Sequence, residues 1–335
     1  MKQKHSVKDI LIVKLDHAGD GLWTTPAVST LRKNFPAARL RICCTPYTTP
    51  VWENNPAVDE LIPYSGGSYP PLLGRPDLVL CLDTRTPAVK LTYSTRAPVR
   101  CGYFYFPRGL SMIWPLLLLT DPVLHPASRG EYVHEVEANR RLLERLGCNT
   151  ETDTPSRLFL TVNEIEMARQ LLREKGYRGQ KLLSVHLPLK WLNGNWPVEH
   201  VIRLINRIGQ YWPEASLLLS CGPGEESLLH AVLPLLQVPV LTITNQPFRI
   251  WAALLQQSLL LICRDCGPVH VAAALNIPVV SIFEESKRKQ HTRWEPWLAP
   301  HRNVFRSDCF SAAAETDFVA DLLDAAAALL PEGEA

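Results

Sequence analysis

Four consecutive apolar residues, Ile10 to Val13, follow Asp9 and predict a strand buried on both faces of a sheet. Thr24-Thr25-Pro26 then has the form of a helix start, a capping hydroxyl followed by proline in the first turn. The turn Asp16 to Asp20 (DHAGD) is therefore expected in a short loop at the carboxyl end of a central strand. The alternation continues with strands over 39–43, 58–62 and 78–82 and helices over 46–53 and 87–95. A glycine- and proline-rich connection covers 65–76, and a further strand follows Arg96. The stretch 104–126, rich in Phe, Trp, Leu and Pro, has no period and reads as a long loop, packed on its own domain or able to dock on lipid or fold over a site. A plainly helical pattern over 132–146 ends at Gly147 as its C-cap.

A polar stretch, 148–155, marks a domain boundary. Beyond it the alternation resumes, with helices over 164–175, 197–211, 225–233, 247–256 and 268–275 and strands over 182–186, 216–220, 240–243, 259–263 and 279–283. Strand, helix, strand order in both halves predicts α/β architecture with parallel, doubly wound sheets. The expected division is an N-terminal domain over 1–152, a second over 153–310, and a C-terminal helix and tail over 311–335. Two such units in tandem define a cleft between them.

At 335 residues the chain is long enough for two domains, and with 46% apolar against 20% charged residues it is not of the disordered class. Leu110 to Thr120, interrupted by Pro115, falls short of the roughly 20 residues of a spanning helix. The N-terminal MKQKHSVKDI carries charge into the first strand without the apolar core of a secretion signal, so a cytoplasmic location is expected. Residues 1–150 hold 18 Lys and Arg against 13 Asp and Glu, net +5, which leaves −3 for the remainder of a chain of net +2. This excess is too small for nucleic-acid binding and suits an N-terminal half that meets an anionic small or lipid-borne partner. Nine scattered cysteines, most within apolar runs, read as small core residues. Cys263 and Cys266 form a C-x-x-C without the second pair a structural zinc site needs, and no metal or cofactor is expected.

Candidate chemistry gathers on turns that join strand to helix. Asp16, His17 and Asp20 are equal candidates for a general base in the first. In the second half, Arg264-Asp265-Cys266-Gly267-Pro268-Val269-His270 leads from a strand into a helix whose free N–H groups favour phosphate. Gly267 permits close approach of its oxygens, and Asp265 suits either helix capping or a ribose hydroxyl. His270 suits a phosphate oxygen, with plain packing as the alternative. Gly222 to Glu226, on a further such loop, is too glycine-poor for a Walker A loop, and no G-x-G-x-x-G follows the first strand. Arg85, Arg96, Arg100 and Arg108 with Lys90 cluster in sequence, either as a solvated rim or as a surface for acidic sugars or phosphates.

KLDHAGDGLWTTPAVSTLRKNFP, VHEVEANRRLLERLG, WPVEH, CGPGEE and RDCGPVHVAAALNIPVVSIF followed by RWEPW resemble, in order, the landmarks of glycosyltransferase family 9, the heptosyltransferases of lipopolysaccharide biosynthesis. The resemblance implies a GT-B fold, two Rossmann-like domains facing a central cleft, with the C-terminal helix and tail over 311–335 able to return to the first domain. It implies inverting transfer of heptose from ADP-heptose to the lipopolysaccharide core at the cytoplasmic face of the inner membrane. Asp20 falls on the family's catalytic aspartate, while Asp265, Cys266, Gly267 and His270 fall on the donor-binding turn, with Gly222 and Glu225 near the nucleoside. Asp16 and His17 replace small residues and become candidates for acceptor choice, alongside Arg85, Arg96 and Arg100. Gly194-Asn195 stand where a basic residue commonly precedes Trp-Pro, with Lys190 as the candidate substitute. Glu284-Glu285-Ser286 replace a Gly-Pro-Thr. These departures leave open another nucleotide sugar used for a surface glycan, or a catalytically silent binding relative.

Overall fold

The computed structural model describes residues 7–67, 74–107, 109 and 113–330. The chain divides into two compact units, Met1–Phe159 and Leu160–Ala335. The first contains β1 (Asp9–Val13), α1 (Ala18–Asn34), β2 (Arg39–Cys44), α2 (Thr49–Trp52), β3 (Glu60–Pro63), β4 (Leu78–Cys81), α3 (Thr86–Ser94), β5 (Val99–Phe104), α4 (Ile113–Leu118), β6 (Asp121–Leu124) and α5 (Glu135–Arg145). Its strands form one parallel sheet in the order β3-β2-β1-β4-β5-β6. The order reverses between β1 and β4, so the loops leaving those two strands flank a crevice at the carboxyl edge. Ile10 to Val13 are fully buried, which is why the central strand reads as an unbroken apolar run.

Two expectations change here. Helix α1 starts at Ala18, with His17 as its N-cap, rather than at the Thr24-Thr25-Pro26 signal, and Pro26 lies inside it. A proline at this point leaves the carbonyl of Leu22 without its helical donor. The Thr25 hydroxyl donates to that carbonyl at 2.8 Å, and Thr24 to the carbonyl of Asp20 at 3.0 Å. The threonines therefore support a helix interior instead of opening one. Within 104–126, in turn, lie α4 and the edge strand β6. Pro122 is tolerated on an edge, where one face of the ladder has no partner strand, and Pro115 sits in the first turn of α4.

The second unit contains α6 (Val162–Glu174), β7 (Leu182–His186), α7 (Val198–Tyr211), β8 (Ser216–Ser220), α8 (Glu226–Val232), β9 (Val240–Ile243), α9 (Phe248–Leu255), β10 (Leu260–Arg264), α10 (Gly267–Ala274), β11 (Val279–Glu284), β12 (His301–Arg306) and α11 (Ala312–Ala327). The parallel order β12-β11-β10-β7-β8-β9 is the first sheet's topology repeated, with the reversal between β7 and β10. A capping box starts α6: Thr161 accepts from Glu164 N at 3.2 Å, and the Glu164 carboxylate accepts from Thr161 N at 2.7 Å. Helix α11, expected as an element able to return to the first domain, places Phe318, Leu322, Leu323 and Ala326 in the second unit's own core beside Trp196 and Trp212. No helix among the described residues is long and apolar enough to cross a membrane.

Candidate active site

In the first unit the crevice is acidic. Lys14, the residue after β1, is buried, and its ammonium donates to Asp16 Oδ2 at 2.8 Å and to the carbonyl of Leu82 at 2.9 Å. One cation thereby ties the loop after β1 to the loop after β4. Burial alone would pull Lys14 down, but Asp16, Asp20 and Asp83 outweigh it and hold the ammonium above the ordinary lysine range. Burial pushes the Asp16 carboxyl up to about 6, with Asp20 and Asp83 adding to the effect and Lys14 opposing it. Three carboxylates thus act on one ammonium. Asp16 Oδ1 is buried and finds no partner among the described residues.

Asp20 lies in the first turn of α1, where its Oδ2 accepts from the His17 backbone N–H at 3.3 Å. The helix thus fixes this carboxylate at its own amino end, next to the crevice. His17 is exposed on the same turn. Asp83, a residue not singled out by sequence, is 2% exposed. It accepts from Arg85 Nε at 3.0 Å and Nη2 at 2.6 Å, and from the Arg85 backbone N–H at 2.9 Å. Arg85 is therefore beside the crevice, its guanidinium already paired.

Arg96 and Arg100 are not brought there. Arg96 lies in the connection from α3 to β5 and Arg100 near the start of β5, hence toward the amino edge of a parallel sheet. Arg100 pairs in register with Val79, itself level with Leu11, and its guanidinium donates to the carbonyls of Leu118 at 2.9 Å and Ala97 at 2.5 Å. The placement directs these arginines away from the carboxyl edge that carries the turn with Asp20. Lys90 is exposed, 4.4 Å from the Trp114 ring centroid, and Arg108 lies outside the described residues.

In the second unit the corresponding crevice is cationic. Cys266 caps α10 and Gly267 opens it, where a Cβ on Gly267 would meet nothing within 4 Å. The unobstructed backbone N–H groups and helix dipole suit an anion. Lys190 donates to the carbonyl of Asp265 at 2.6 Å, and Lys287 reaches the Asp265 carboxylate at 3.3 Å. Beneath them, Arg264 and Arg306 are each 1% exposed. Arg264 pairs with Glu284. Arg306 donates to the carbonyl of Trp191 at 2.7 Å and stacks 4.4 Å over the Trp196 ring. Burial pulls both guanidinium groups below the ordinary arginine range; Arg264 adds to the effect on Arg306. Burial would raise Glu284, but Arg264 and Lys287 outweigh it and hold it below the usual glutamate range.

The departures noted in sequence have local causes. Glu284 is the counter-ion of Arg264, Glu285 pairs with Arg288, and Ser286 donates through its hydroxyl to Asp308 at 2.7 Å. Gly194 has φ +72°, and a Cβ there would lie 1.7 Å from the Asp308 carbonyl oxygen. No side chain fits at position 194, while the neighbouring Asn195 is exposed; the lysines of this crevice are Lys190 and Lys287. Glu225 folds over Gly222 and accepts from Leu189 N at 3.1 Å, which joins the loop after β8 to the loop after β7. His270 is buried, at 4% exposure, inside α10. The thiols of Cys263 and Cys266 are hydrogen-bonded at 3.4 Å and not joined by a disulfide. Among the described residues, no group of three or more His, Cys, Asp and Glu side chains is placed to hold a metal ion.

Two doubly wound units, each with its polar crevice at the topological switch point, are the architecture of the GT-B class. A model of glycosyltransferase family 9 (heptosyltransferase) matches residues 72–317, and the chain belongs to this family. It is similar to lipopolysaccharide heptosyltransferase 3 of Escherichia coli K12, 24% identical over 83% of this chain and 82% of that one. Among solved structures, the family 9 glycosyl transferase of Veillonella parvula superposes with TM-score 0.82 at 19% identity, covering 96% of this chain and 97% of the other. The Escherichia coli ADP-heptose lipopolysaccharide heptosyltransferase II gives 0.75 at 17% identity, covering 98% and 100%.

Proposed function

We propose that the enzyme transfers heptose from ADP-heptose to a sugar hydroxyl of the lipopolysaccharide core, with inversion at the anomeric carbon. The observation that carries this reading is Asp20, a carboxylate fixed by the first turn of α1 at the switch point of the first sheet, in a chain of the heptosyltransferase family. In this role Asp20 takes the proton from the acceptor hydroxyl as its oxygen attacks the anomeric carbon. The bond to the diphosphate breaks on the opposite face, and ADP leaves with the bonding pair. Lys190, Lys287 and the amino end of α10 offset the charge that develops on the diphosphate. Gly222 and Glu225 border the nucleoside position.

Incubation with ADP-heptose and a truncated core acceptor is expected to release ADP. Asp20→Ala is expected to reduce the rate at least about a hundredfold, the usual scale for losing a general base, with an unchanged circular-dichroism spectrum. A folded variant with wild-type turnover would sink the assignment.

A second reading, a different nucleotide sugar, is favoured by Gly194-Asn195, which leave no basic side chain at the two positions in front of Trp196. Thermal-shift comparison of ADP, UDP and GDP separates the two. ADP is expected to stabilise most; a larger shift with UDP or GDP would transfer the assignment to the other donor class.

A further inference from the structure

Between Asp83 and Asp121 the sequence contains no aspartate or glutamate and five basic residues, Arg85, Lys90, Arg96, Arg100 and Arg108. This acid-free stretch accounts for the whole positive excess of the first half. Within it, α3 and α4 lie against each other. On α4, Ile113, Trp114, Leu116 and Leu117 face outward, Leu117 at 68% exposure, while Pro115 is buried. Tyr93 of α3 is 52% exposed. A six-residue helix that turns four large apolar side chains to solvent hides almost nothing of its own, and apolar surface so grouped marks a contact site.

The cations around it identify the contact. Lys90 reaches over the Trp114 ring, and Arg75 donates from Nε to the carbonyl of Arg96 at 3.1 Å, which brings Arg75 to the chain just beyond the end of α3; both arginines are exposed. Apolar side chains flanked by lysine and arginine, with an aromatic ring between them, fit the headgroup boundary of a lipid bilayer, where the apolar groups enter and the cations meet lipid phosphates. A second copy of the chain fits less well, since a two-fold interface would set the same cations against one another without a carboxylate to pair them.

We infer that the α3–α4 face, with Trp114, Leu117, Lys90 and Arg96, is a docking surface for an anionic phospholipid bilayer. It is separate from the residues assigned to transfer, so its test does not depend on the donor or acceptor. The full-length protein is incubated with vesicles of phosphatidylcholine alone or mixed equally with phosphatidylglycerol, and the bound fraction is measured by sedimentation. Binding is expected to the mixed vesicles, to weaken with salt, and to fall about tenfold or more in Trp114→Glu/Leu117→Glu and in Lys90→Glu/Arg96→Glu, each with wild-type melting temperature. Loss in the apolar variant with retention in the charge variant would overturn the requirement for anionic lipid. Failure of the wild type to bind, binding undiminished in both variants, or a concentration-dependent dimer abolished by the same substitutions would each overturn the proposal.

Discussion

Asp16 and Asp20 share one turn but differ in what surrounds them. Asp20 is held by a helix amino end, whereas Asp16 is set among two other carboxylates with a single buried ammonium. The native pKa of Asp16, about 6, lies above the unfolded value of about 3.9. The native state therefore binds the extra proton between those values. The resulting stability is fully present below about pH 4 and lost as pH rises through about 6. Over that interval the wild type is expected to lose on the order of 1–2 kcal/mol relative to Asp16→Asn, measured by urea unfolding at several pH values. Equal slopes for the two proteins would mean that Asp16 stays ionised in the native state.

Element by element, the sequence announces strands better than it announces helix starts. Ile10 to Val13 and Leu260 to Cys263 are buried on both faces, so continuous apolar runs report them directly. The beginning of α1 is hidden because His17 is an uncommon cap and Thr-Thr-Pro imitates one. The interior role of those threonines is testable. Thr25→Val keeps the shape but removes the hydroxyl that serves the carbonyl of Leu22 and accepts from Arg157 N at 3.0 Å. A loss of about 1–3 kcal/mol in urea unfolding is expected, the cost of buried polar groups left unpaired; an unchanged midpoint would assign those groups other partners. The acidic and phosphate-suited turns were legible from their residues, but Asp83, Arg264 and Arg306 were not. Charged residues at strand ends look like solvated ones until topology puts them at a switch point. Arg96 and Arg100 err in the other direction, being near Arg85 in sequence but toward the opposite edge of the sheet.

For the whole molecule, each unit has its own sheet and its own buried core. Residues 160–335 expressed alone are expected to unfold cooperatively and to be stabilised by ADP, read as a rise in melting temperature with nucleotide concentration. A fragment that folds but ignores ADP would remove the cationic crevice from the donor assignment. Repetition of one strand order has a further consequence. With the scaffold held constant, equivalent positions can be compared as in a controlled substitution, and at the fourth strand of each sheet the polarity is inverted. There the first unit buries an acid, Asp83, against a half-exposed arginine, and the second buries an arginine, Arg264, against a glutamate. The same end of the same strand thus buries a carboxylate in one half and a guanidinium in the other, each with its counter-ion beside it, so the sign of the buried charge is set by the side chain and not by the fold.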